Sequence, residues 1–412
     1  MSKRKTPVLR FKGFHNDWEQ RKLGDIAKRI VRKNKNLKST LVLTISAQYG
    51  LVDQKKFFNK NIAGKNIAKY YLIEKGEFAY NKSYSKGHPL GVIKRLDYYD
   101  VGILSTLYII FKPENINSNF LSAYYDTKCW YKEVTKYAAE GARNHGLLNI
   151  PTQDFFKTEL IITTNNKEQQ RIGNIIKIVN KILDLQERKY EELKLLKKAL
   201  MQNMFADNAF YPNLRFKGFV YKWKQYKLND LGYTFSGLSG KSKKDFGHGK
   251  AQYVTYMNVF SNPIANLEMT EHIEIDNKQN SVKYNDIFFT TSSETPEEVG
   301  MSSIWLGKET NTYLNSFCFG FRLTKRIDSY YIAFMLRSPS FRRKMMVLAQ
   351  GISRFNISKN KVMNIKILLP KISEQKRVGI TIKKVDNTVK LQVKFINKIK
   401  KFRKFLLQNM FI

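Results

Sequence analysis

The sequence has little of what secreted, membrane and metal-dependent proteins rely on. It contains two cysteines, Cys129 and Cys318, in 412 residues. Two cysteines in non-equivalent places cannot form a disulfide framework, so we expect reduced thiols in a cytoplasmic protein. No apolar run reaches the roughly 18 residues that span a bilayer, and no apolar stretch follows the basic N-terminus. Neither a membrane span nor a signal peptide is therefore expected.

The motifs of common catalytic and cofactor sites are missing too. The five histidines are scattered, without the paired spacing of a metal site. The run Gly240-Lys241-Ser242 resembles the end of a phosphate-binding loop, but Phe235 stands where that loop needs a glycine. The chain also lacks an Asn/Asp-Pro-Pro-aromatic run for adenine methylation and a serine with a placed base. We therefore expect a non-catalytic chain that holds no metal or cofactor of its own.

Basic residues outnumber acidic ones, and the excess is not confined to one tail of the sequence. The 73 lysines and arginines face 34 aspartates and glutamates, which gives a formal net charge of +39. Such a chain repels itself unless a polyanion neutralises it, so nucleic acid is the leading class of partner. A lysine-rich host composition is the alternative explanation of the excess.

The chain repeats itself at two places in each half. Residues 7–26 read PVLRFKGFHNDWEQRKLGDI, and residues 212–231 read PNLRFKGFVYKWKQYKLNDL. A run from EQQRIG to LMQNMF (168–205) recurs 206 positions later as EQKRVG to LLQNMF (374–411). The chain therefore consists of two half-molecules in tandem, an arrangement suited to a two-part target or to two identical partners.

Both helical runs carry apolar residues at alternating spacings of four and three, which is typical of a coiled-coil seam. The seam positions are Ile172, Ile176, Val179, Leu183, Gln186, Tyr190 and Leu193 in the first run and Val378, Ile382, Val385, Val389, Gln392, Ile396 and Ile399 in the second. Gln186 and Gln392 take the same polar slot, which commonly fixes register. Matched register favours an antiparallel intramolecular pair over two separate surface helices. Further apolar residues beside the seam predict a second buried face, against a partner or the globular domains.

The predicted fold is mixed α/β (α+β), with two target-recognition domains separated by two long helices that form an antiparallel coiled coil. The predicted boundaries are 1–165 and 207–370 for the domains and 166–206 and 371–412 for the helices. Strands are predicted over 101–111, 253–259 and 315–323, the last with Phe317, Phe319, Phe321 and Leu323 on one face. A helical stretch is predicted over 330–348.

The candidate DNA-contacting side chains lie on loops. Residues 81–87 place amide, cationic and aromatic groups after a strand, whereas the corresponding 290–294 has no lysine; different side chains on equivalent loops suit two domains that read different bases. The basic loop 241–244 suits phosphates, and the arginines of 141–145 and 351–356 suit phosphate or a guanine edge. The alternatives are that the first two loops are ordinary polar loops, that the lysines of 241–244 are merely solvated, and that the arginines tie their loops to the domain core. The candidates are Asn81, Lys82, Tyr84, Lys86, Arg143, Asn144, Lys241, Lys243, Lys244, Thr291, Ser292 and Arg354.

The paired LRFKGF…W…KL openings and the paired EQ[QK]R[IV]G…QNMF helices resemble the specificity subunit of type I restriction-modification systems over nearly the whole chain. The resemblance implies a non-catalytic subunit that binds a bipartite asymmetric DNA site, one half per domain. It implies two modification subunits that bring S-adenosylmethionine and methylate adenine N6, and restriction subunits that bring ATP-driven translocation and cleavage. S-adenosylmethionine, ATP and Mg²⁺ are thus expected on partners. It does not fix which residues contact bases.

Three rival functions remain open from the sequence: a stand-alone architectural or regulatory DNA-binding protein, a protein-interaction scaffold built on the coiled coil, and an enzyme with an unfamiliar active site. If the helices set the gap between two half-sites, four residues inserted after Leu185 add about 6 Å, or roughly two base pairs.

Overall fold

The computed structural model describes residues 6–60, 66–83, 87–138, 148, 150–207 and 209–412. The chain divides into two compact units, and each unit takes part of both long helices. Unit 1 comprises Met1–Glu187 and Lys394–Ile412, and unit 2 comprises Arg188–Val393. This division differs from the four sequence segments proposed above, whose boundaries stay a prediction. Within the described ranges, no helix is long and apolar enough to cross a membrane.

Unit 1 is built from short strands, short helices and the first long helix. Its strands are β1 Glu19–Lys22, β2 Ala27–Ile30, β3 Leu43–Ser46, β4 Gly50–Asp53, β5 Tyr71–Glu74, β6 Phe78–Asn81, β7 Val92–Arg95, β8 Val101–Leu104, β9 Ile109–Pro113 and β10 Glu159–Ile162. Its helices are α1 Leu23–Ile26, α2 Gln54–Phe58, α3 Ser118–Tyr125, α4 Tyr131–Tyr137, α5 Thr152–Lys157 and the start of α6 Asn166–Asn203, with 3-10 turns at Lys35–Leu37 and Ile67–Lys69.

Unit 2 follows the same plan. Its strands are β11 Lys224–Lys227, β12 Gly232–Ser236, β13 Phe246–Val254, β14 Thr270–Ile273, β15 Ile287–Thr290, β16 Ser292–Ser293, β17 Ser302–Ile304, β18 Thr312–Leu314, β19 Cys318–Leu323, β20 Phe355–Asn356 and β21 Lys366–Leu369. Its helices are α7 Tyr256–Ser261, α8 Ser329–Met335, α9 Pro339–Val347, α10 Lys359–Met363 and the start of α11 Ile372–Asn409, with 3-10 turns at Leu228–Asp230, Lys243–Asp245 and Pro296–Glu298.

The central sheets of the two units match strand for strand. In unit 1 the order is β2-β9-β6-β7, and in unit 2 it is β12-β19-β15-β17, with antiparallel pairing throughout. Strands β6 and β15 therefore hold the same place. The opening strand of each unit, β1 or β11, pairs with the strand before the long helix, β10 or β21. Each repeat opening is thereby held beside the start of its own long helix.

A buried ion pair explains why the two repeated motifs occur together. Arg10 of the first LRFKGF places Nε 2.6 Å from Glu168 Oε1, and Glu168 is fully buried. Arg215 of the second places Nε 2.7 Å from Glu374 Oε1, and Glu374 is buried as well. Each guanidinium also reaches the second carboxylate oxygen, so both contacts are bidentate. The repeats thus join the domain opening to the helix start.

The glycine of EQ[QK]R[IV]G lets a short helix approach the long one closely. A Cβ on Gly173 would lie 2.5 Å from the backbone nitrogen of Phe120 in α3, and a Cβ on Gly379 would lie 2.5 Å from that of Tyr331 in α8. The preceding glutamine adds a second tie: Gln375 Oε1 accepts a hydrogen bond from the Asp328 backbone NH at 3.0 Å, as Gln169 does from the equivalent position of unit 1. The motif therefore specifies packing geometry.

The end of each long helix packs in the core of the other half's domain. Phe411 lies beside Trp18 and Phe120 in unit 1, with ring centroids 6.3 and 5.4 Å away. Phe205 lies 5.4 Å from Tyr331 in unit 2. Backbone hydrogen bonds of 2.8 Å from Leu9 to Asn409 and from Leu214 to Asn203 repeat the pattern. The QNMF end of one long helix therefore packs against an LRFKGF opening, and this contact forms once in each unit.

Within each unit the two long helices run antiparallel. In unit 1, Arg403 Nε donates to Asn180 Oδ1 at 2.5 Å, and Lys400 lies 2.7 Å from Glu187. In unit 2, Lys197 Nζ donates to Asp386 Oδ1 at 2.6 Å. The first and last of these contacts are equivalent under the 206-residue repeat. Together with the mixed sheets and helices, they confirm the predicted fold class and the antiparallel pairing.

The seam is confirmed, whereas the burial of a second face against a partner stays a prediction. Every seam position is buried or half-buried, from Ile172 and Val378 onward. The flanking apolar residues differ: Ile182, Leu196 and Phe395 are each 40–48% exposed. These side chains face solvent.

Two predicted strands are wrong in extent because turns interrupt them. The stretch 101–111 is β8 and β9, joined by a turn in which Leu107 is exposed. The stretch 253–259 leaves β13 at Val254, where Thr255 Oγ1 accepts from the Asn258 NH and caps α7. The apolar run continues in both cases, but the backbone changes direction.

Two further boundary predictions need correction. In 315–323 the strand starts at Cys318, and Phe317 is 55% exposed instead of sharing the buried face of Phe319. An Asx turn explains this, because the Phe317 NH donates to Asn315 Oδ1 at 2.9 Å. The stretch 330–348 is two helices, and α9 starts with Pro339 at its first turn.

Candidate nucleic-acid interface

In unit 1, the described candidates lie where β6 ends. Asn81 is the last residue of that strand, and its Oδ1 accepts a 3.0 Å hydrogen bond from the Ser83 NH. The Lys82 carbonyl accepts from the Leu148 NH at 2.9 Å, and burial lowers the pKa of Lys82. Residue 82 of the first candidate segment is therefore adjacent to residue 148, which follows the second. Tyr84, Lys86, Arg143 and Asn144 lie outside the described residues.

In unit 2, the equivalent position brings three predicted residues together. Thr291 and Ser292 follow β15, and Ser292 pairs with Asn356 in the short β16–β20 ladder. Thr291 Oγ1 donates to the Phe317 carbonyl at 2.9 Å. The exposed guanidinium of Arg354 lies 6.0 Å from the Phe317 ring centroid. Two sequence segments separated by about sixty residues thus form one surface at the end of the central sheet.

The basic loop 241–244 divides into one paired lysine and two exposed ones. Lys241 Nζ donates to Asp276 Oδ2 at 2.7 Å, which raises the pKa of Lys241 and lowers that of Asp276 to about 2. Lys243 and Lys244 are exposed on a 3-10 turn closed by a hydrogen bond from the Ser242 NH to Asp245. The exposed pair is accessible to a phosphate, whereas Lys241 already has a carboxylate partner.

Sequence reasoning missed the residues that surround Arg354. A cleft of about 560 Å³ opens beside it, walled by α7, by the turn after β16 and by the loop before β20. It is lined by Tyr256, Met257, Phe260, Ser292, Ser293, Glu294, Glu298, Ser353 and Arg354. The acidic residues of 294–298, in an otherwise basic chain, could have indicated the wall formed by the turn after β16. The wall formed by α7 could not be predicted, because its residues were assigned to a strand.

A second cleft, of about 550 Å³, lies within unit 1 between the globular part and the paired helices. Asp126 sits in its wall, 2.6 Å from Lys94 Nζ and in contact with Arg403. Burial, followed by the charges of Lys94 and Lys128, lowers the pKa of His88 on the same wall. The salt links hold α3 against the helix pair.

The two register glutamines differ in their surroundings. Gln392 is buried, at 7% exposure, and Gln186 is half-buried. Both take the predicted seam slot. Their role in fixing register stays a prediction.

The titratable groups give little sign of reactive chemistry in the described part of the chain. Cys318 is buried, and burial raises its thiol pKa; burial also raises the pKa of Cys129, which is half-buried. Among the described residues, no group of three or more His, Cys, Asp or Glu is placed to hold a metal ion.

Comparison with known proteins agrees with this arrangement. Residues 221–401 match the family model described as the type I restriction modification DNA specificity domain. The chain is 22% identical over 331 residues to the type I restriction enzyme MjaVIII specificity subunit of Methanocaldococcus jannaschii, covering 74% of this chain and 72% of that protein.

Two solved structures share the fold over nearly the full chain. The S subunit of the type I restriction-modification system from M. genitalium aligns with a TM-score of 0.59 at 15% identity, over 99% of both chains. A chain solved in work on complex assembly and conformational transition of the type I R-M system aligns with a TM-score of 0.50 at 13% identity, over 95% of this chain and 96% of that one.

Proposed function

This chain belongs to the specificity subunits of type I restriction-modification systems, and on that premise we propose that it binds a bipartite asymmetric DNA site with one half-site per unit. The observation that carries the proposal is the equivalence of β6 and β15. They hold the same place in matching sheets and end in different side chains, Asn81 in one unit and Thr290 in the other. The same plan with different loops suits one protein that reads two different sequences.

Phosphate contact supplies the affinity in this proposal. The net charge of +39 and exposed lysines such as Lys243 and Lys244 fit a polyanion. Sequence is then read by side chains that reach base edges, while phosphate contacts set orientation.

We expect binding of the full chain to its duplex to weaken by about 10³- to 10⁵-fold between 50 and 200 mM salt, because six to ten phosphate contacts release that many counterions. Replacing Lys243 with Ala is expected to lower the slope of log affinity against log salt by about one, without changing sequence preference. Fluorescence anisotropy at several salt concentrations measures both. A loss of less than about tenfold would favour an interaction scaffold.

Partner subunits are proposed to dock on the exposed apolar stripes of the long helices. On α6 the stripe contains Ile178, Ile182 and Leu185, which are 40–57% exposed. On α11 it contains Leu391 and Phe395, at 64% and 48%. These side chains follow the spacing of one helix face. Of these residues, Leu185 and Leu391 are equivalent under the 206-residue repeat, so two copies of one modification subunit would share this one contact position.

Replacing Leu185 or Leu391 with Lys is expected to remove one copy of the modification subunit, and replacing both is expected to remove both copies. The side chains are already exposed, so folding is expected to change by less than about 0.5 kcal/mol. Glu192 replaced with Lys is the matched control, since it adds the same side chain at an exposed site of α6. Native mass spectrometry of the co-expressed complex measures the stoichiometry. Unchanged stoichiometry in the double variant would contradict this docking surface.

Catalysis belongs to the partners in this proposal. S-adenosylmethionine and adenine N6 methylation are assigned to the modification subunits, and ATP, Mg²⁺, translocation and cleavage to the restriction subunits. A stand-alone regulatory DNA-binding protein is the competing proposal, and it predicts no stable complex with a methyltransferase.

A further inference from the structure

The cleft of unit 2 has walls that are fixed in place by two half-buried arginines. Arg337 donates from Nε to the Ser302 carbonyl at 2.6 Å, and from its terminal nitrogen to the carbonyls of Val259 and Phe260 at the end of α7, at 2.6 and 2.9 Å. Arg342 donates to the Gly300 carbonyl at 2.8 Å. Each guanidinium contacts several carbonyls, so it joins loops that the sheet alone does not connect.

These arginines remain charged at neutral pH. Burial, followed by the neighbouring Arg342, lowers the pKa of Arg337 to about 9, and burial lowers that of Arg342 to about 10. Arg342 also reaches the Glu297 carbonyl at 2.9 Å, so the 3-10 turn Pro296–Glu298 is anchored from behind. Two walls of the cleft, α7 and this turn, are therefore preorganised before any ligand arrives.

The third wall carries the cation. Gln350 and Asn356 form a backbone bridge with hydrogen bonds of 2.8 and 3.0 Å, which closes the loop that presents Arg354. Arg354 is exposed. Opposite it, Tyr256 donates its hydroxyl proton to the Ser292 carbonyl at 2.7 Å. The pKa of Tyr256 is raised chiefly by burial; the charge of Glu298 raises it further and that of Arg354 lowers it, so both groups act on this hydroxyl.

Glu298 is a half-buried carboxylate on the turn Pro296–Glu298. Within the described ranges, no lysine or arginine lies within 4 Å of Glu294, Glu297 or Glu298, although the chain has 73 basic residues. A half-buried carboxylate at a DNA surface is repelled by phosphates unless it accepts a hydrogen bond from a base. In the major groove, cytosine N4 offers that donor, and guanine O6 and N7 offer paired acceptors to arginine.

We infer that Arg354 and Glu298 read a G·C pair in the half-site bound by unit 2, with the Arg354 guanidinium on guanine O6 and N7 and the Glu298 carboxylate on cytosine N4. This inference rests on the proposed function. The Tyr256 and Phe260 rings are stacked with centroids 5.9 Å apart and form the apolar floor. The cleft therefore presents both a fork-shaped donor and a carboxylate acceptor.

The test compares the methylated motif and the DNA affinity of four variants of the full chain, each co-expressed with the modification subunits. Glu298 replaced with Gln and Arg354 replaced with Lys are expected to lose about 5- to 150-fold of discrimination at one G·C position of one half-site. Arg354 replaced with Lys keeps the charge and loses the bidentate fork, so affinity for phosphate is retained. Glu297 replaced with Gln and Arg326 replaced with Ala are matched exposed controls and leave the motif unchanged.

The outcomes separate the inference from the function on which it rests. The inference is supported if the wild-type chain gives a gapped, asymmetric motif and both cleft variants relax the same single position of that motif. A wild-type motif that stays unchanged in both variants, or a loss of affinity that is equal for all sequences, overturns the inference and leaves the proposed function standing. Absence of any motif that depends on the wild-type chain overturns both. Thermal melting of each variant confirms that the comparison is between folded proteins.

Discussion

Lengthening both long helices by four residues is expected to widen the gap between the two methylated half-sites by one or two base pairs. Four helical residues add about 6 Å, and B-DNA rises about 3.4 Å per base pair. The insertions belong after Glu187 and after Val393, where the chain divides into its two units. At those places the Asn180–Arg403 and Lys197–Asp386 contacts inside the units are kept.

The sequence alone suggested a single insertion after Leu185. The structure favours the paired design, because the helices run side by side within each unit and one lengthened helix would lose register with the other. The same four residues inserted after Tyr211, in the connection between the two repeats, are the control and leave the gap unchanged. Methylation sequencing reads the gap directly. An unchanged gap in a methylating double-insertion complex would contradict the spacer role.

Replacing Arg215 with Ala is expected to cost about 3–5 kcal/mol of the unfolding free energy of unit 2. The change leaves Glu374 buried without its bidentate partner, and an uncompensated buried charge is strongly destabilising. Glu374 also accepts from Trp223 Nε1 at 3.3 Å, so the stranded carboxylate sits in the core of the domain opening. Urea denaturation followed by tryptophan fluorescence measures the change.

Arg343 provides the matched control for this variant. It forms an ion pair with Asp207 at 2.6 Å, but its side chain is 64% exposed, so its replacement with Ala is expected to cost less than about 1 kcal/mol. Replacing Arg215 with Met and Glu374 with Leu together is expected to recover part of the loss, because no buried charge remains. Equal costs for the Arg215 and Arg343 variants would show that the repeated arginine does not hold the domain opening to its helix.

The repeats and the helix seam were readable from sequence because they follow periodic rules. The spacing of residues such as Ile172 and Val378 indicates which face of each long helix is buried. The partners of Arg10 and Glu168 were not readable, since a contact across 158 positions leaves no local pattern. The repeats marked these residues as present in both halves. The structure shows that in each half they hold the domain opening against the start of the long helix.

The predicted ends of strands were wrong where a polar side chain turned the backbone inside an apolar run. Thr255 caps a helix and Asn315 forms a turn, and each side chain competes with strand pairing. Thr255 directly precedes Tyr256, which lines the cleft of unit 2. Of the candidate site, the sequence supplied Arg354, Thr291 and Ser292 but not Glu298 or Tyr256, because the walls of the cleft come from segments that meet only in the folded unit.

The central claim is that this chain specifies a two-part DNA site for its partners. Adenine methylation mapped across the host genome, with the gene intact and with it deleted, tests that claim most directly. We expect deletion to remove one gapped, asymmetric motif completely and to leave all other methylated motifs unchanged. Persistence of every methylated motif after deletion, in cells that express the modification subunits, would contradict the account.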